Sequence, residues 1–105
     1  MSNSITQSEL KKIAIEVVNI VQDIISDRVK PYSQDIQDWA TDIFARLEAD
    51  GNKLAEAVET CLVDILTCDN ASWDTPKWGF QENLDKLIEV LKTKHLRKKY
   101  ELYRI

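Results

Sequence analysis

Apolar residues return at intervals of three and four along four stretches of this chain, the period of helices rather than strands. In the first stretch, Ile13, Val17, Ile20 and Ile24 form one stripe, and Ala14, Val18, Val21 and Ile25 form a second beside it. Lys12, Glu16, Asn19, Asp23, Ser26 and Asp27 occupy the rest of the circumference. This spacing predicts a helix over residues 8–29. Pro31 should stop it, because the residue before a proline is pushed out of helical geometry. The alternation Ile13-Ile15-Val17 would suit a strand, but the length of the segment and the regular return of polar positions override it. A face this broad should touch two neighbours at once, which suggests the central helix of a bundle.

The second helix is expected over 33–49, with Ser33 as its cap and Asp35 suited to the helix dipole. Ile36, Ala40, Ile43 and Leu47 form its apolar seam, flanked by Trp39 and Phe44. Asp50-Gly51 should end it, with Gly51 free to take a left-handed closing conformation. Asn52 then caps a third helix over 53–67, carrying Leu54, Val58, Cys61, Leu62 and Ile65 on one face. So short a connection predicts an antiparallel hairpin. From Cys68 to Thr75 the pattern dissolves into the longest expected loop.

Thr75-Pro76 resembles a cap followed by a first-turn proline, opening a fourth helix over 76–104 whose regular part Gly79 should delay to Gln81. Leu84, Leu87, Ile88, Leu91 and His95 share one face. Past Leu91 the stripe moves round to Leu96, Tyr100 and Tyr103, so the helix should bend near residues 92–95 or turn its end toward something other than the body. The fold class is therefore all-α: a compact, antiparallel, four-helix bundle-like domain in a single unit over 1–105.

Composition agrees. Two Gly and two Pro in 105 residues are too few for a turn-rich β architecture. No apolar run reaches transmembrane length, and Met1–Thr6 lacks the basic start and apolar stretch of a secretory signal. Cys61 and Cys68 lie about two helical turns apart, beyond disulfide reach. Reduced thiols, with Cys61 in the core, and a cytoplasmic setting are expected.

Charge changes the picture more. Residues 1–91 hold 8 Lys/Arg against 17 Asp/Glu, a net of -9, whereas residues 92–105 hold 6 against 1, a net of +5. An acidic body ending in a short basic segment points toward recognition by surface charge.

Four groups of side chains are candidates for such recognition. In the terminal segment, Arg97, Tyr100, Tyr103 and Arg104, with Lys92, Lys94, Lys98 and Lys99, could contact a protein, or neutralise phosphates while tyrosines stack on bases. Positive side chains near a helix end also suit its dipole, and the body's charge repels phosphate. Leu96, Tyr100 and Tyr103 could instead build a homodimer. Asp35, Asp38 and Asp42 form an acidic ridge beside Trp39, suited to a basic partner, to nucleic-acid mimicry against a nuclease, or simply to solvent. Trp73, Trp78 and Phe80 crowd the long loop, as a recognition patch or as a cap on the bundle.

His95 has no nucleophile or carboxylate supplied by spacing. Gly51 at the sixth position of a calcium loop would put Arg46 at the first and Ala57 at the last, where carboxylates are needed. No Gly-rich phosphate loop, HExxH or GxSxG occurs.

Two short stretches carry a local resemblance. Trp78-Gly79-Phe80-Gln81-Glu82-Asn83-Leu84-Asp85-Lys86-Leu87 resembles the aromatic-Gly-x-Asn-Leu-Asp-x-Leu segment of barstar-type nuclease inhibitors, with extra residues between Gly79 and Asn83. Tyr32 to Trp39, with Thr60-Cys61, is similar to part of Tctex-type dynein light chains. The first resemblance implies parallel strands and the second a β-sheet, whereas residues 81–105 read as helix; no residue role is carried over. The chain is expected to be a non-catalytic adaptor, regulator or inhibitor that binds another protein, without metal or cofactor. A nucleic-acid-binding accessory subunit and an immunity-type inhibitor of a basic enzyme are the alternatives.

Overall fold

Thr6 opens the first helix. Its hydroxyl accepts the Glu9 amide at 3.2 Å and donates to the Glu9 carboxylate at 3.2 Å, so one side chain satisfies an orphan N–H of the first turn. The computed structural model describes residues 5–48, 51–68 and 77–103, with side chains in the last stretch over 78–92. It has four helices: α1 Gln7–Ile25, α2 Gln34–Arg46, α3 Lys53–Thr67 and α4 Lys77–Tyr103. No strand occurs among the described residues. The all-α, four-helix architecture is as the periodicity predicts.

Two helices end sooner than expected. α1 stops at Ile25, not at Pro31. Asp27 takes the left-handed conformation at φ 62°. The Asp27 amide then bonds the Ile24 carbonyl at 3.1 Å, and the Arg28 amide the Asp23 carbonyl at 2.9 Å, the paired closure of a Schellman motif. α2 ends at Arg46, because Leu47 is already extended at ψ 129°. Ser33 occupies the cap position of α2 without a side-chain bond. Asn52 does cap α3, accepting the Ala55 amide at 3.1 Å, and Gly51 is left-handed at φ 73°, both as expected. α4 runs straight through Gly79, so that glycine delays nothing.

Helices consecutive in the chain run in opposite directions, so α1 and α3, which also pack together, are parallel. Gln37, near the start of α2, donates from Nε2 to the carbonyls of Ile65 at 2.8 Å and Cys68 at 3.3 Å at the end of α3, and to Pro31 at 2.8 Å. Two amide hydrogens thus serve three carbonyls, two of them in the closing turn of α3, where the Ile65 carbonyl also accepts the Cys68 amide at 3.0 Å. The α2–α3 hairpin is therefore antiparallel. α4 runs against α3, since Asn83 meets Asp64 and Cys61.

The core is continuous across all four helices, with Val17, Val21, Val58, Leu62, Ile65, Phe80, Leu84 and Leu87 fully or nearly fully buried. Among the described residues, the backbone of α3 closely approaches α1, α2 and α4, that of α1 approaches α3 and α4, and that of α2 approaches α3 alone. The central helix is thus α3, correcting the assignment to α1. α1 does touch two neighbours, α3 and α4.

Candidate functional site

That packing leaves one side of the bundle unclosed. α1 and α2 make no close backbone approach, and a groove of about 310 Å³ runs between the N-terminal half of α1 and the C-terminal half of α2. Ile13 and Ile43, buried in the core, form its floor, and half-buried Trp39 forms a wall. Glu9 and Glu16 line it from α1, and Asp42 lines it from α2, with Lys12 and Arg46 also at the rim.

The sequence builds this arrangement by helical phase. On α1, Glu9, Ile13 and Glu16 stand at i, i+4 and i+7. On α2, Trp39, Asp42 and Arg46 stand at i, i+3 and i+7, so each set shares one side of its helix. Arg46 Nη2 pairs with Asp42 at 3.2 Å, while Arg46 Nε is buried without an acceptor. A buried donor left unmatched is uncommon and costly.

The acidic ridge lies along the outer face of α2 next to this groove. Asp35, Asp38 and Asp42 are all exposed; Asp38 accepts from Gln34 Nε2 at 2.7 Å. Trp39 combines core contact with a place in the groove wall.

The aromatic cluster divides. Phe80 is buried in the core, whereas Trp78 is 71% exposed and sits in the first turn of α4 rather than in a loop. Trp73 lies outside the described residues. So do the side chains of His95, Leu96, Arg97, Tyr100 and Tyr103, and all of Arg104. A second groove, of about 360 Å³, runs between the end of α1 and the start of α4, lined by Gln22, Ile25, Ser26, Gln81, Leu84 and Ile88 among others. It confirms that α4 runs against α1.

A polar seam that spacing does not reveal joins α3 to α4. Asn83 Nδ2 donates to Asp64 at 2.6 Å, and the Cys61 thiol donates to the Asn83 carbonyl at 3.6 Å. Burial, with the Asp64 charge nearby, pushes the Cys61 thiol up to about 12. Burial also raises the Asp64 carboxyl, against the lowering effect of the Asn83 bond. A thiol so reluctant to ionise is a poor nucleophile. Cys61 and Cys68 are free and buried.

Among the described residues, no group of three or more His, Cys, Asp and Glu side chains could hold a metal ion, and no helix is long and apolar enough to cross a membrane. No protein-family model, curated protein or solved structure matches this chain.

Proposed function

We propose that this protein is a non-catalytic binding domain whose α1–α2 edge receives a cationic, amphipathic helical segment of another protein. The observation that carries this reading is the unclosed edge itself: an apolar floor and a tryptophan wall set beneath carboxylates from both helices. A helix laid in such a groove would bury an apolar stripe against Ile13, Trp39 and Ile43. Its Lys and Arg side chains would meet Glu9, Glu16 and Asp42, with the ridge at Asp35 and Asp38 steering its approach. The rim's own cations count against this selectivity, but Arg46 is already committed to Asp42.

The test is calorimetric titration with a cationic amphipathic helical peptide, beside a scrambled peptide of equal charge. The native protein should bind the amphipathic peptide and not the scrambled one. Glu16→Lys with Asp42→Lys should weaken binding roughly tenfold or more. Equal binding by native and reversed proteins would overturn the reading.

A further inference from the structure

The chain carries a segment with the chemistry this groove would take. Residues 92–105 hold six cations and one acid, and Leu96, Tyr100 and Tyr103 stand at i, i+4 and i+7 within α4, which is helical to Tyr103. A cationic helix carrying this stripe complements an apolar floor whose rim holds three carboxylates, Glu9, Glu16 and Asp42, against the two cations Lys12 and Arg46.

The helix that carries this segment packs, among the described residues, on α1 and α3 and not on α2, and it continues as one helix to Tyr103, about 40 Å at 1.5 Å per residue. Its direction suits a neighbour. The start of α4 lies beside the end of α1, so α4 runs toward the N-terminal half of α1, the half that lines the groove. The described part of α4 is therefore directed toward the end of the bundle that holds the groove.

We infer that two copies of this protein pair reciprocally, each laying its basic C-terminal segment along the α1–α2 groove of the other. The pairing is isologous: one two-fold axis fills both grooves and closes the assembly at two. It sets a +5 segment on a -9 body twice over, so association weakens as salt rises. The inference rests on the groove accepting a cationic helix, and the experiment separates the two ideas.

Sedimentation equilibrium of the full chain should give a concentration-dependent dimer at low salt that dissociates at high salt. Two charge-reversed proteins make the decisive comparison, one with Arg97→Glu and Lys98→Glu, the other with Glu9→Lys and Glu16→Lys. Glu9 and Glu16 are exposed, and helical circular dichroism establishes that both proteins fold. Each alone should self-associate roughly tenfold or more weakly than the native chain. Mixed, they should form a heterodimer, because the new carboxylates at 97 and 98 then meet a groove carrying lysines at 9 and 16, while the native basic tail meets the native Glu9 and Glu16.

A native chain that stays monomeric at low salt, or a dimer indifferent to both reversals, overturns the pairing. If the monomeric chain still binds the cationic peptide, only the reciprocal pairing falls. If it binds neither, the groove reading falls with it.

Discussion

Asp27 is the residue with the most strained backbone among those described. It is the non-glycine with positive φ, and it carries a negative charge at a helix C-terminus, where the dipole disfavours one. The Schellman closure of α1 depends on that conformation, and the Asp23–Arg28 ion pair at 3.7 Å lies across it. Gly removes the steric cost of a Cβ at this φ and Ala keeps it, so Asp27→Gly should be more stable than Asp27→Ala by about 1 kcal/mol, read as a higher urea midpoint with an unchanged slope. Equal midpoints would mean that the left-handed turn stores no strain. The early end of α1 was illegible for the same reason: the apolar period continues through Ile25 to Val29, and an aspartate in the left-handed region leaves no glycine to mark the stop.

Between elements, the α3–α4 seam carries a pH signature. The Asp64 carboxyl is raised in the folded state, chiefly by burial, so the folded protein keeps a proton that the unfolded chain has released. That stability is present at low pH and is lost as pH climbs through and above the ordinary carboxylate range. Asp64→Asn preserves an oxygen acceptor for Asn83 without the charge. Its stability relative to the native protein should therefore grow as pH rises above the ordinary carboxylate range, in denaturant melts at each pH. A constant difference would remove Asp64 as the source.

Helix positions were largely legible at this scale. α3 spans the predicted 53–67, because Asn52 and the Leu54–Ile65 stripe act locally. The pairing of Asn83 with Asp64, and of Gln37 with the end of α3, was not legible, since both join residues far apart in sequence.

For the whole molecule, unequal packing implies unequal stability. α2 rests on α3 alone and has two buried residues, Ala40 and Ile43, whereas α3 has six and meets three helices. Hydrogen exchange should therefore find α2 amides opening at a smaller free energy than those of α3, with α2 behaving as its own cooperative unit. Uniform protection across the four helices would contradict this. The acidic ridge could be seen in the sequence because three carboxylates at helical spacing share a face. The groove could not, because a gap is a property of which helices fail to meet. The breadth of the apolar face on α1 pointed to two neighbours without saying which.

The seat of α2 on a single helix also fixes the calibre of the cleft. The close backbone approach to α2 comes from α3, so the spacing depends on the packing behind it, where Ala40 is completely enclosed. A bulkier residue there would lift α2 outward and broaden the opening, leaving every side chain that faces an incoming helix unchanged. Selectivity in such a scaffold can drift by alterations to a hidden hinge of contact, well before any visible surface residue is replaced.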